Sequence, residues 1–395
     1  MKILMLVNWK IEYTDKVPAD KQPPDYYIKG EDYWFFRYFK NKKYIQVDVV
    51  DIRSFPALEK FEKNKIRFYV WQIIKILPKL RKYDLVLSHG MQSGIVLCLG
   101  RRLFGKGKYK HIVFDIGAFN SAKEEGRALK LMQFASKTLD GVIYHTAMQE
   151  EYYKKCHPWL LDKSQYIAFG TDSEFFGDST QNVERSVDVS DIFEISADMS
   201  ENEKIGKEVA MPYILSIGYN KRDWDTLIRA YEKLDTEVEL LLLGNESWKS
   251  DNPKIRILPP VSVKEMMEMI EGCLFGVLPL KWFNYSYGQM TLMQQMALGK
   301  AVIVSEVPGV KDYAKHNVDA CFYPPENIDA LAEQMKILLE DRDFRNQIGQ
   351  EAAKTIKEKI NEKVMAGEIE KFIWNICERK DLSNGDKNID NCSGL

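Results

Sequence analysis

At 395 residues the chain is too long for one ordinary core and fits two domains of nearly two hundred residues each. Hydrophobic residues make up 45% and charged residues 29%, which excludes the disordered and fibrous classes. The net charge of −2 hides an asymmetry, since residues 1 to 175 hold 30 Lys+Arg against 20 Asp+Glu and the remainder 26 against 38. A basic first half suits an anionic partner such as a membrane surface or an acidic acceptor, and equally suits a plain solvated surface.

In chain order, KILMLV, YIQVDVVDI, YDLVLSH, KHIVFDI and DGVIYHT are short apolar runs of the kind buried parallel strands show. Between them, residues 31 to 43 and Lys60 to Lys82 carry apolar residues at helical spacing. Strand alternating with helix predicts a doubly wound parallel sheet over residues 1–176. A polar, acidic stretch at 177–209 predicts an interdomain connection with an inserted excursion. The pattern restarts over 210–360 with PYILSIG, VELLLLG, IRILP, LFGVLPL and KAVIVSE as strands. Helices are expected at DTLIRAYEKL, SVKEMMEMIEG, TLMQQMALG and NIDALAEQMKILLED. A last amphipathic helix is expected within 361–380, followed by a disordered tail at 381–395.

The opening MKILMLVN runs straight into the charged WKIEYTDK, unlike a signal peptide, and no apolar run approaches the roughly 20 residues of a membrane helix. A cytoplasmic protein is expected, with peripheral membrane contact through the basic first domain as an option. The aromatic and basic runs YWFFRYFKNKKY and KFEKNKIRFYVWQIIKILPKLRKY would serve such contact. The plainer reading, aromatics buried on the sheet and lysines in water, is preferred. Nucleic acid is not an expected partner. Six scattered cysteines read as reduced thiols, and the five histidines show no metal-ligand spacing, so no metal or cofactor is expected.

The chemistry concentrates in LPLKWFNYSYGQMTLMQQMALGKAVIVSEVPGV, residues 278 to 310. A strand ends near Leu280, a loop holds Gly288, and a helix starts near Met290. Loop amides and the first N–H groups of the helix, at Gln289, Met290 and Thr291, form an anion site, because a helix start points its N–H groups outward and the helix dipole is positive there. The bland alternative is an ordinary loop and helix of any α/β protein.

Pro279, Gly288, Met296, Ala297, Gly299 and Gly309, in this order and spacing, resemble the donor-binding signature of the retaining glycosyltransferases of family four, also called group 1. That resemblance implies a GT-B fold, two Rossmann-like domains facing across a cleft, with a nucleoside diphosphate sugar as co-substrate in the second. It implies transfer of a hexosyl unit with retention, from a UDP-sugar by preference, without a metal. The acceptor, a saccharide, a lipid-linked glycan or a small molecule, would meet the first domain.

Within the family pattern two glutamates have seven residues between them, and the matching positions here are Ser286 and Gln294. Gln294 can still exchange hydrogen bonds with ribose hydroxyls through its amide. At Ser286 the usual contact to the donor sugar is replaced, with Asn284, Tyr285, Tyr287 and Gln289 as neighbouring polar groups. A catalytically silent GT-B subunit that binds a glycan or a partner is the alternative these replacements raise.

Upstream, ILSIGYNKRDWDTLIRAYEKL resembles the family segment whose Arg and Lys grip the diphosphate. Aligned on its helix, Arg222 takes the Lys position and Tyr219 the Arg position, with Gly218 and Lys221 beside them. Arg222 is therefore the leading catalytic candidate, stabilising charge that grows on the leaving phosphate. The aspartates of Asp223-Trp224-Asp225 read as helix-capping residues in preference to metal ligands. In the first domain Gly30 precedes a helical run as the family's glycine loop does, and Asp115 stands where the family has a histidine near the transferred sugar. His89 and His145 are alternatives for that role. YIAFGTDSEFF, with Gly170, Asp172 and Phe175, resembles the family's domain-junction segment.

Overall fold

The computed structural model describes residues 1–18, 20–117, 124–177, 211–218, 221–244, 248–283, 285 and 287–379. The connection read at 177–209, beyond its first residue, and the tail read at 381–395 lie outside them.

The first sheet has six parallel strands in the order β4-β1-β5-β6-β7-β8. They are β1 (Lys2–Leu6), β4 (Gln46–Val50), β5 (Leu85–His89), β6 (Lys110–Asp115), β7 (Gly141–Tyr144) and β8 (Ser164–Tyr166), with the small pair β2 (Glu12–Thr14) and β3 (Tyr26–Ile28) to one side. Its inner strands β1, β5, β6 and β7 are mostly buried because both faces are covered, whereas the edge strands β4 and β8 carry Gln46, Asp48 and Gln165. One face buries Leu4, Leu6 and Val86 under the crossover helices α2 (Val70–Ile76) and α3 (Met91–Phe104), α2 being preceded by α1 (Pro56–Phe61), which buries no residue. Val113 and Val142 of the same face lie under α3, α4 (Arg127–Ser136) and α5 (Met148–Cys156). The other face buries Ile3, Met5, Leu87 and Phe114 under the aromatic run Tyr33 to Phe39.

After α6 (Ser173–Gly177) comes a second six-stranded parallel sheet, ordered β11-β10-β9-β12-β13-β14. It comprises β9 (Tyr213–Ile217), β10 (Glu239–Leu243), β11 (Ile255–Leu258), β12 (Gly276–Leu278), β13 (Val302–Ser305) and β14 (Cys321–Tyr323). Helices α7 (Trp224–Tyr231), α8 (Val263–Gly272), α9 (Gln289–Ala297), α10 (Pro308–Lys311), α11 (Ile328–Glu340) and α12 (Arg342–Glu358) accompany it. A capping box explains where α8 begins, since Ser262 and Glu265 satisfy each other's free amides.

The final helix, α13 (Glu362–Glu378), leaves the second domain and packs on the first. Met365, Ala366, Ile369, Phe372, Ile373 and Ile376 form one helical stripe and are buried with Ile3 and Met5. Glu370 is also buried, its carboxylate accepting from the amides of Lys40 and Asn41 at 2.8 and 2.9 Å. At the crossing the backbones touch, and a Cβ on Gly170 would sit 2.2 Å from the Asn361 carbonyl oxygen.

Two helical expectations in the first domain are corrected. Residues 31 to 43 form no α-helix; 3-10 turns at Trp34–Tyr38 and Lys42–Tyr44 take its place. Tyr33, Trp34, Phe35 and Phe36 are all buried, and four consecutive apolar residues cannot share one α-helical stripe. The stretch from Lys60 to Lys82 is broken, because Arg67 adopts the left-handed conformation, φ 59°, between a π-turn at Glu62–Ile66 and α2. Strands β2, β3, β8 and β14 and helix α12 extend the expected set.

Candidate functional site

The second sheet reverses its strand order between β9 and β12, and in open α/β sheets ligands bind at such a point, outside the carboxyl ends of the strands. The loops leaving these two strands carry the residues 218 to 222 and 279 to 288, which the sequence singled out. They are stitched together by an antiparallel bridge between Arg222 and Leu280 and by the Asp223 amide, which donates to the Pro279 carbonyl at 3.0 Å.

Arg222 spans this junction. Its Nε donates to the Ile217 carbonyl at 2.8 Å, Nη1 to the Tyr287 hydroxyl at 3.1 Å, and Nη2 to Thr291 Oγ1 at 3.0 Å. Gly218, at φ 145°, permits that path, since a Cβ there would lie 2.2 Å from Arg222 Nε. Burial lowers the guanidinium's pKa and raises that of the Tyr287 phenol. Desolvated positive charge held by neutral oxygens is what an anion would stabilise further.

Lys221 is exposed, with a left-handed φ of 57°. Its ammonium rests over three rings, 4.4 Å from Phe283, 4.4 Å from Tyr285 and 5.1 Å from Tyr287. Partial desolvation against these rings lowers its pKa. Gly288 is the N-cap of α9 at φ 83°, where no side chain caps the helix and a Cβ would strike Leu280 Cδ1 at 2.5 Å. The first intrahelical bond runs from the Leu292 amide to the Gly288 carbonyl, so the amides of Gln289, Met290 and Thr291 precede the ladder and point along the helix dipole. Behind the loop sits Gly309, whose added Cβ would lie 2.6 and 2.7 Å from the backbone N and O of Tyr287.

Other expected site residues are placed differently. Gln294 is buried, and its amide donates to Gln22 Oε1 of the first domain at 2.7 Å. Tyr219, Asn284 and Ser286 lie outside the described residues. Gly30 occupies an exposed turn after β3 at φ 86°, with open space around it. Asp223 stands at the N-cap of α7, yet its carboxylate accepts from the Thr226 hydroxyl at 2.7 Å and caps no amide, which corrects the capping expectation. Asp225 is exposed beside Arg229 at 3.7 Å.

Asp115 is fully buried at the end of β6. One carboxylate oxygen accepts from the Gly117 amide at 2.9 Å and the other from the Tyr153 hydroxyl at 2.6 Å. The carboxylate thereby fixes the turn at Gly117, against which the Tyr285 ring of the second domain lies; a Cβ at Gly117 would be 2.9 Å from that ring. His89 and His145 are buried too, and burial lowers their pKa values to about 3 and about 4. Both are neutral imidazoles at physiological pH.

Sequence reasoning missed the contacts that join the domains around the cleft. Asp312 accepts from the Thr146 hydroxyl at 2.8 Å and the Ala147 amide at 2.7 Å. The Tyr313 hydroxyl donates to the His145 carbonyl at 2.7 Å and accepts from the Phe169 amide at 3.0 Å. Beside Gln22, a shallow recess of about 20 Å³ is lined by Pro23, Tyr26, Tyr27, Trp34 and Arg37 among others. The aromatic density of Phe283, Tyr285 and Tyr287 was the one available signal for the Lys221 cage.

Two Rossmann-like domains facing across a cleft, with a helix returning from the second to the first, define the GT-B architecture. Residues 197–355 match the family described as glycosyl transferases group 1. A search of curated protein sequences returns no match. Among solved structures, Anabaena HepE in complex with UDP has a TM-score of 0.63 at 14% identity, covering 95% of this chain and 100% of that one. A glycosyltransferase from Rickettsia africae gives 0.64 at 14% identity over 96% and 99% of the two chains. Sucrose-phosphate synthase from Thermosynechococcus elongatus gives 0.62 at 13% identity over 95% and 99%. The family match and the shared fold together support a GT-B glycosyltransferase.

Proposed function

We propose that the protein transfers a hexosyl unit from a UDP-sugar to an acceptor with retention and without a metal ion. The observation that carries the reading is Arg222, desolvated and braced between Ile217, Tyr287 and Thr291 over the uncapped start of α9. A diphosphate placed there would meet a guanidinium, the Lys221 ammonium and successive backbone amides. The group 1 match over this domain and the solved HepE complexes with UDP and UDP-glucose support the choice of nucleotide.

In the proposed reaction the bond between the sugar's anomeric carbon and the β-phosphate oxygen breaks, leaving both electrons on the phosphate. The acceptor oxygen bonds to that carbon from the same face, and its proton passes to the departing phosphate oxygen. Arg222 and Lys221 act where negative charge grows, so their interaction strengthens along the reaction. Gln294 would hold the ribose, and Ser286, Tyr287 and Gln289 are the polar groups nearest the expected sugar position in sequence. Asp115 serves as a positioning residue, through the turn that supports Tyr285.

Calorimetric titration with UDP, GDP and ADP in the presence of EDTA tests the reading, with UDP expected to bind. Absence of heat with all three nucleotides would sink it. Buried Gln294, in the position of a family glutamate and already bonded to Gln22, favours one second reading, a GT-B subunit that binds without turnover. Released UDP measured with UDP-sugars and candidate acceptors separates the two.

A further inference from the structure

The sheet face of the first domain opposite α13 is covered by α2 to α5, and the outer surface of α2 to α4, with the α1 segment that leads into α2, has an unusual composition. Residues 56–82 carry eight exposed cations, 102–108 carry three and 127–137 carry three, fourteen in all. The only carboxylates in those stretches are Glu59, half-buried and paired with Lys10, and Glu62, which is buried. Between the cations stand large apolar side chains in water: Phe104 is 89% exposed, Leu103 69%, Leu77 55%, Phe61 53% and Phe134 42%. Arg102 lies 5.1 Å from the Phe134 ring, so cation and hydrocarbon are interleaved.

Leu103 and Phe104 are not loose core residues. They end α3, and the adjacent Arg101 anchors the turn from inside, buried and donating to Asp140 at 2.8 Å and to the Lys106 carbonyl at 2.9 Å. The other aromatic and basic run gives an internal contrast, because Trp34, Phe35, Phe36 and Phe39 all bury against the sheet. Exposed hydrocarbon and exposed cations thus coincide along residues 60–82, 102–108 and 127–137, while exposed Tyr44, Trp282, Val318 and Val364 lie singly elsewhere and exposed Glu124, Glu125 and Glu151 border the basic stretches.

We infer that this face docks on an anionic lipid bilayer, with Leu103 and Phe104 entering the boundary between headgroups and acyl chains and the surrounding lysines and arginines contacting lipid phosphates. A nucleic acid would use the cations but leave the protruding phenyl and isobutyl groups without an apolar environment. A second copy meeting the same face would oppose cation to cation. No helix among the described residues is long and apolar enough to cross a membrane, so the contact is at the surface. Docking by a sheet face leaves the strand ends, where the cleft lies, open at the side.

The test is flotation of the full chain with vesicles of phosphatidylcholine alone or mixed with phosphatidylglycerol. Expected is flotation with the mixed vesicles, weakening as salt is raised, and little with phosphatidylcholine alone. The double variant Leu103→Ser/Phe104→Ser should float several-fold less, as should Lys79→Glu/Arg81→Glu, with thermal melting and UDP titration unchanged in both. No flotation at low salt, equal flotation of the variants, or capture by duplex DNA without flotation overturns the inference. None of these readouts depends on sugar transfer, so failure here leaves the transferase reading standing and the reverse.

Discussion

In the second sheet the strand order reverses between β9 and β12, and the loops there present Lys221, Arg222 and the uncapped start of α9. The first sheet reverses between β1 and β5, and the loops there present Trp9 and His89, whose rings meet edge to face at 4.6 Å. His89 also reaches Asn8 at 3.3 Å and stacks on Phe114. One topological vacancy is thus lined with cations and the other is plugged with neutral rings. Burial explains the second case as much as residue choice does, because it holds His89 uncharged. Two sheets of related topology thus differ in electrostatics: one switch point presents cations and the start of a helix, the other an uncharged wall of rings across from it.

The sharpest way to break that contrast is Arg222→Ala. On the proposed function, removing this desolvated cation should weaken UDP about 100-fold, on the scale of a charge-assisted contact, roughly 2–3 kcal/mol. Folding stability should hold or rise, because the folded state no longer carries the cost of burying the guanidinium. Calorimetry and thermal melting on the same preparation read both. An affinity within threefold of the parent would mean that the second vacancy is not an anion site.

Asp115→Ala should do the opposite. The substitution strands the Gly117 amide and the Tyr153 hydroxyl, costing about 2 kcal/mol of stability, while UDP affinity stays unchanged. Chemical denaturation and the same titration decide. Intact stability with lost turnover would restore Asp115 as a group that touches the sugar.

How much of this was legible in the sequence follows from physical range. Parallel strands buried on both faces announce themselves as apolar runs, so the five expected strands of the first sheet and the five of the second are present at those positions. Gly218, Gly288 and Gly309 were legible because a backbone constraint leaves a residue type behind. Short β14 and the broken helix at Arg67 were not, since three residues or one left-handed φ carry little pattern. Least legible were pairings made only by the tertiary fold. Gln22 with Gln294, and Glu370 with the Lys40 and Asn41 amides, lie hundreds of positions apart. Asp115 shows the limit most plainly: resemblance to the family's histidine position made it a candidate, while its hydrogen bonds with the Gly117 amide and the Tyr153 hydroxyl were not legible.

Between the two vacancies lies a junction with chemistry of its own, and it yields the smallest effect. Arg37 donates to Asp172 at 2.5 Å and to Glu362 at 2.9 Å, so two buried carboxylates share one cation. Trp34 Nε1 also donates to Glu362 at 2.9 Å. Burial first, then the charge of Asp172, pushes the Glu362 carboxyl up to about 7, while Arg37 and Trp34 pull it down. Its folded value therefore exceeds the ordinary value near 4.5. Stability from such a group is fully present below the ordinary value and is lost as pH rises through the folded one. The parent should accordingly lose stability between about pH 5 and pH 8, on the order of 1 kcal/mol from this group. Glu362→Gln cannot ionise and keeps an acceptor for Trp34, so its denaturation free energy should change less across that window and exceed the parent's more at pH 8 than at pH 5. Parallel curves for the two proteins would show that Glu362 ionises as an ordinary surface carboxylate does, and that the seam joining the anion site to the neutral wall carries no charge in excess of what Arg37 balances.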